Sequence, residues 1–276
     1  MTVIVMTQEM GSLGKDVAFG VCEALGLTQV RDDISEHVAH RLQKRKSALG
    51  RYLEGKAGLR ERVGIDRRSL ALLSAEEVYE YALKDNVLIR GWGAVYLLAP
   101  ISHVLRVRVC APFERRVQWL MKRLGADREL AEEEIRRSDA AHTANIRHWF
   151  DKPFGDPLDY GLVLNTAGVS IESCVETIKL LVRRPEFQPT GESRAKLTAL
   201  ALEARIRVAL GTEPKTAEMR ITIGVDGGNV ILSGVVVDES ESQACERVVA
   251  KVPGVSKVTN ALKTMSGPQA LWGDLE

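Results

Sequence analysis

The short apolar run Val3-Ile4-Val5-Met6 leads straight into a turn with two glycines, Gly11-Ser12-Leu13-Gly14. Behind it, Val17, Ala18, Val21, Cys22 and Leu25 recur at helical spacing until Gly26. A strand buried on both faces reads as a continuous apolar run, and an amphipathic helix repeats every three or four residues. Strand, glycine turn and helix in that order confine the start of the chain to the opening unit of a doubly wound α/β domain. Further strands are expected over 87–90, 104–109 and 162–164, and helices over 111–124, 127–139 and 170–182, the last opened by a Ser cap. The 104–109 segment alternates but carries Arg106 and Arg108, which predicts a strand with one wet edge or face. Residues 32–86 read as helical.

The turn itself carries chemistry. Glycines let consecutive backbone N–H groups turn inward around an anion beside a helix N-terminus. A lysine then adds a mobile charge, and a following hydroxyl holds magnesium in the GxxxxGK[ST] pattern. Gly14-Lys15 stands at the right place, but Glu9 occupies the first glycine position and Asp16 the hydroxyl position. The anion-binding half of the pattern survives and the metal-binding half is altered. A tight strand-to-helix turn in which glycine only eases packing explains the same residues.

Charge narrows the partners. Lys plus Arg number 38 and Asp plus Glu 37, a net of +1, which removes any whole-chain argument for nucleic-acid binding. Locally, residues 41–68 hold ten Lys/Arg against three Asp/Glu. They form either a solvated helical face or a surface for phosphates or an acidic partner. The four cysteines (Cys22, Cys110, Cys174, Cys245) lie far apart, which argues against a disulfide scaffold or structural zinc and suits a reducing compartment. His37 and His40 sit three apart with no third metal ligand placed by sequence. No run of about 18 apolar residues spans a membrane, and the N-terminus lacks the features of a signal peptide. A cytoplasmic location is expected. Trp92, Trp119 and Trp149 are read as core or pocket wall.

The character changes after the Pro/Gly/polar stretch 183–191. A helix is expected over 197–210 and two alternating strands over 220–225 and 229–236, joined through Asp226-Gly227-Gly228, a strong hairpin signal. A helix over 239–251 and a strand over 257–263 complete an α-β-β-α-β unit of a size that is marginal alone. The division expected is 1–184 for the first domain, 185–195 for a linker, 196–265 for the second domain and 266–276 for a frayed tail.

Five ordered landmarks in the first domain resemble the cytidylate kinase-like family, relatives of the nucleoside monophosphate kinases. Residues 2–15 are similar to an opening whose loop reads SREYGSGGRE, with Gly11, Ser12 and Gly14 matching. Leu25-Gly26 through Asp32 fits LGxxxxD. Residues 89–94 with 104–116 fit the central strands and an APxExR turn, Asp139 falls in the lid motif, and residues 160–166 fit YDLVLNT. The resemblance covers roughly 2–184. It implies a P-loop kinase-like parallel sheet flanked by helices, binding ATP and Mg2+. It further implies that Gly11, Ser12, Leu13, Gly14 and Lys15 hold the β/γ-phosphates, with Arg116 near the nucleotide; Asp16, a carboxylate at the usual hydroxyl position, is expected to contact the magnesium directly. Arg136, Arg137, Arg147 and Asp139 would belong to the catalytic lid. Phosphoryl transfer needs positive charge around the moving group, although Glu132, Glu133 and Glu134 also make those arginines ordinary helix-surface partners. Gly91-Trp92-Gly93 departs from the family's GRG or GRD, position 142 is histidine for arginine, and the insert that reads the acceptor base is missing. Either a phosphotransferase acting on an unidentified acceptor, or a nucleotide-binding protein without catalysis, fits this pattern.

Residues 197–263 resemble a BON domain, with Gly228 to Gly234 fitting GxVxLxG and Val252 to Val258 fitting VPGVxxV. Such domains are associated with phospholipid surfaces, small-ligand sensing and protein interaction. The resemblance implies a docking or sensing module, with a protein or small-ligand partner, or a packing unit that stabilises a homodimer.

Overall fold

The computed structural model describes residues 2–53, 56, 66–91 and 93–265, and it divides into two compact units, Met1–Arg194 and Ala195–Glu276. The first is built on a five-stranded sheet in the order β2-β3-β1-β4-β5, from β1 (Val3–Gln8), β2 (Thr28–Val30), β3 (Val87–Arg90), β4 (Val104–Cys110) and β5 (Leu162–Asn165). All four pairings are parallel, with Val3 opposite both Val87 and Val104. The central strand is apolar from Val3 to Met6 because helices cover both its faces, and Ile4, Val5 and Met6 are fully buried. Helix α1 (Gly14–Leu25) lays Val17, Ala18 and Val21 on the sheet beside α8 (Ile171–Val182), which contributes Cys174 and Ile178. Gly26 ends α1 in the left-handed conformation that glycine accepts without strain. The Ser170 hydroxyl caps α8 by accepting from the Ser173 amide, as the sequence predicted.

Six further helices complete this unit among the described residues. They are α2 (Asp32–Arg41), α3 (Lys46–Leu53), α4 (Arg67–Leu83), the single turn α5 (Ala94–Leu97), α6 (Phe113–Leu124) and α7 (Arg128–Phe150). Two differ from expectation. The short edge strand β2 went unpredicted because three residues show no period. Helix α7 runs on past Asp139 to Phe150, since neither Gly nor Pro interrupts 140–150 and Ile135, Ser138 and Ile146 are all buried on one side. The wet face expected of β4 is also not found at Arg108. That strand is interior, and Arg108 is 7% exposed, with its guanidinium over the rings of Phe154 and Tyr160.

His103, just before β4, is buried, and its Nδ1 lies 2.7 Å from Ser193 Oγ. Ser193 and Thr190 also exchange backbone-to-hydroxyl hydrogen bonds (3.0 and 3.1 Å). Burial, and secondarily the positive charge of Arg194, hold the His103 imidazole below its usual pKa, against the opposing charge of Asp85. The unfolded chain therefore binds a proton here before the folded one does. Stability is fully present above the ordinary histidine pKa and declines as pH falls toward the depressed one. His103→Gln should flatten that acid-side decline in urea midpoints measured between about pH 7 and 5.

The second unit pairs β6 (Thr222–Asp226) with β7 (Asn229–Val236) as an antiparallel hairpin, and β8 (Lys257–Thr264) joins β7 in parallel. One face of this sheet packs Val230 and Leu232 against Leu202 and Ile206 of α9 (Gly191–Thr212) and Cys245 and Val249 of α10 (Glu239–Val249). Among the described residues no helix is long and apolar enough to cross a membrane, and all four cysteines are free thiols.

Candidate functional site

In a parallel sheet, ligands bind beyond the C-terminal ends of the strands, where neighbouring connections diverge. Here that point lies at the end of β1, which has β3 on one side and β4 on the other. A cavity of about 510 Å³ opens there, lined by residues 7–11 and 13–16, by Arg90 at the end of β3 and Gly91 after it, and by residues of α2, α3, α6 and α7.

The loop is shaped from below. Ser12 is fully buried, and its hydroxyl donates toward the carbonyls of Glu9 (2.8 Å) and Val109 (3.1 Å), so this side chain anchors the turn. Thr166 holds the other side by donating to the Ser12 carbonyl at 2.9 Å. Gly11 (φ 81°) and Leu13 (φ 60°) are both left-handed, which turns successive amides toward one side. A β-carbon at Gly11 would meet the Arg116 carbonyl at 2.9 Å, and one at Gly14 would meet Gln8 Cβ at 2.6 Å. Gly14→Ala should therefore push the start of α1 off β1, a cost of about 1–3 kcal/mol for overpacking, read as a lower denaturant midpoint.

The consequence is a set of unspent donors. The amides of Met10, Gly11, Leu13, Gly14 and Lys15 donate to no described residue, and the last three stand at the N-terminus of a 12-residue helix. Lys15 is exposed at the cavity edge, with no hydrogen-bond or ion-pair partner among the described residues. The Asp16 carboxylate likewise lines the cavity without such a partner. A carboxylate without a protein partner among the described residues, beside amides with no acceptor, suits a hard cation such as Mg2+, which prefers oxygen ligands.

Glu9, at the first glycine position, is neutralised. It accepts from Arg108 Nη2 at 2.7 Å and from the Ala111 amide at 3.2 Å, and lies 3.6 Å from Arg116 Nε. Its charge thus faces two buried guanidiniums instead of adding to the negative charge of an incoming anion.

The sequence-predicted residues fall into two groups. Gly11, Leu13, Gly14, Lys15 and Asp16 meet at the cavity, while Ser12 lies just behind them. Arg116 and Asp139 stand behind the loop, joined by two hydrogen bonds of 3.0 and 2.9 Å. Arg136, Arg137 and Arg147 do not line the cavity. Arg136 pairs with Glu132 at 3.1 Å and covers the Phe113 ring, Arg137 pairs with Glu134, and Arg147 is exposed. His142 reaches the wall, stacked on Phe154, with Nδ1 donating to the Ser138 carbonyl at 2.8 Å. Trp119 and Trp149 also form wall, as expected, whereas Trp92 lies outside the described residues. Of the basic stretch 41–68, most of 54–65 lies outside them too.

Sequence reading missed Arg31, Arg90 and Arg123 in the wall, and it singled out Lys46 only as part of the basic stretch. Arg90 was findable: it ends the strand beside β1, where the crevice rule puts ligand contacts. Its guanidinium donates to Gln8 Oε1 at 3.3 Å. With Lys15, these give five cations on the wall against Glu9 and Asp16, in a chain whose total charge is nearly balanced. Burial and the charge of Glu9 push the Cys110 thiol up, so it is no ready nucleophile.

No curated protein matches the chain. Among solved structures, an uncharacterized protein from Eubacterium ventriosum shares the fold, with a TM-score of 0.53 at 15% identity over 67% of this chain and 100% of that one. Shikimate kinase from Bacteroides thetaiotaomicron aligns with a TM-score of 0.43 at 14% identity over 66% of this chain and 99% of that one. The BON domain model matches residues 199–265, the whole of the small three-stranded sheet and its helix α10. The family model for the parallel-sheet unit matches residues 3–168, from the first residue of β1 to just beyond β5. That match takes in the loop and its wall and is more than half the sequence, so this chain belongs to the cytidylate kinase-like family and carries a BON domain behind it.

Proposed function

We propose that the parallel-sheet unit binds magnesium ATP at the loop and transfers its γ-phosphoryl group to an acceptor held in the adjoining cavity. The observation that carries this reading is the convergence of five undonated amides and the unpartnered Lys15 on one cavity wall. Such preorganised donors cost little reorganisation when charge develops on a transferring phosphoryl group. When bound, magnesium would screen the phosphate oxygens, and Asp16 is the residue that would hold it. Lys15 binds and orients the phosphates, and the aromatic wall of Trp119, Trp149 and Phe154 limits the water that reaches them.

The deciding experiment is calorimetric titration with magnesium ATP, followed by turnover measured across a broad panel of acceptors. Binding with acceptor-dependent turnover supports the proposal, and an absence of binding at millimolar nucleotide sinks it. Asp16→Ser should shift the magnesium concentration needed for half-maximal ATP binding; an unchanged magnesium response would take Asp16 out of the metal site.

A second reading is favoured by the placement of Arg136, Arg137 and Arg147 away from the cavity. In that reading the unit binds nucleotide without transferring phosphate, and occupancy regulates what the BON domain contacts inside the cell. It predicts affinity without turnover for every acceptor tried.

A further inference from the structure

The loop and the lid helix are tied by a chain of four charges alternating in sign. Arg108 donates to Glu9, Glu9 faces Arg116 Nε at 3.6 Å, and Arg116 grips Asp139 with both terminal nitrogens (3.0 and 2.9 Å). Arg116 Nη1 also reaches the Met10 carbonyl at 3.5 Å. The two arginines are buried, so neither charge is free to find water instead of these partners. A separate contact runs through the backbone. Gly11 lies so close to Arg116 that a β-carbon there would stand 2.9 Å from the Arg116 carbonyl, so any shift of α6 at that residue reaches the left-handed turn directly. Asp139 is in turn a neighbour in α7 of Ser138 and His142, both of which line the cavity.

We propose that Asp139 is a positioning residue: through Arg116 it sets the shape of the amide cradle, coupling the placement of α7 on the cavity to the loop's grip on phosphate. This rests on reading the loop as a nucleotide site. Asp139 touches no substrate in this scheme. It divides the Arg116 charge between α7 and Glu9. With Asp139 neutralised, the balance of attraction on Arg116 shifts toward the Glu9 carboxylate and the Met10 carbonyl, both at the entry of the loop. A movement of α7 that carries Asp139 away has the same effect, so lid position and phosphate affinity change together.

The test uses the full chain and the isosteric variants Asp139→Asn, Glu9→Gln and the double variant. Two readouts are taken: the dissociation constant for magnesium ATP, and hydrogen exchange at the loop amides that are bonded, Ser12 to Glu9 O and Asp16 to Leu13 O. Amides of β1 serve as the global control. Asp139→Asn is expected to weaken ATP about tenfold and to speed exchange at Ser12 and Asp16 with the β1 amides unchanged. The double variant should be no worse than the weaker single, because directly linked residues are not additive. Asp139→Glu should recover part of the affinity. Loop exchange unaffected by Asp139→Asn, or single effects that multiply in the double, would overturn the proposal. If wild type does not bind ATP, the nucleotide reading fails by itself, and the exchange measurement still decides whether Asp139 sets the loop.

Discussion

Lys15→Ala should leave the unliganded protein as stable as wild type while removing about half or more of the thermal protection that magnesium ATP confers. The first half follows from the absence of any hydrogen-bond or ion-pair partner for Lys15 among the described residues. An exposed substitution away from such contacts changes stability by no more than about 0.5 kcal/mol. The second half is linkage. Nucleotide at a hundred times its dissociation constant stabilises the native state by about 2.7 kcal/mol. Losing one charge-assisted contact to phosphate costs roughly 1.5–3 kcal/mol, which at the same concentration leaves about half of that protection or less. Turnover, where an acceptor supports it, should fall by about two to three orders of magnitude, the usual effect of deleting one preorganised donor to developing charge. A scanning fluorimetry series with and without nucleotide reads both halves. Equal protection of wild type and variant would show that the loop amides alone hold the phosphates, or that the nucleotide binds elsewhere.

Arg116→Met should have the largest effect on folding. Methionine matches the aliphatic stem, so the loss is one of charge and hydrogen bonding. Asp139 then has no guanidinium, and Glu9 keeps only Arg108 and the Ala111 amide. Breaking a buried pair by removing one member costs about 3–5 kcal/mol. Asp139 is about one-third exposed and water repays part of its share, so the lower end applies. About 3 kcal/mol corresponds to a midpoint lower by roughly 6–12 °C for a unit of this size. The loss should be confined to the transition of the parallel-sheet unit, leaving the BON domain unchanged. A variant within a degree of wild type would show that the four-charge chain contributes no net stability.

How much of this was legible varies with the physical signal. The strand-loop-helix opening and the Asp-Gly-Gly hairpin were clear because apolar periodicity and glycine need are local properties of the chain. The placement of Lys15 and the loop glycines between strand and helix was legible for the same reason. What failed were properties settled at long range. Arg108 looked wet because an alternating pattern with two arginines normally marks a solvated face, and nothing local announces a carboxylate at position 9 waiting for it. The resemblance links Arg116 to the nucleotide and Asp139 to catalysis, and nothing local announces that the two side chains meet each other behind the loop. The glutamates three and four residues away mark Arg136 and Arg137 as helix-surface pairs, and those are the partners they keep in the structure. Arg31 and Arg123 carry no local mark at all, since only the closing of α2 and α6 around the sheet makes them neighbours of Lys15.

Glu9 has a consequence for how this sequence can change. Restoring glycine there would bring the loop nearer to the common pattern while leaving Arg108 without a carboxylate and Arg116 with Asp139 alone. An apparent repair toward consensus would therefore be a loss in this background. Replacements at 9, 108, 116 and 139 form a single epistatic set, in which the order of substitution matters: Arg108 must lose its charge before the glutamate can go. Libraries that randomise the loop alone should return almost exclusively acidic residues at position 9, whereas libraries that also vary 108 and 116 should admit glycine.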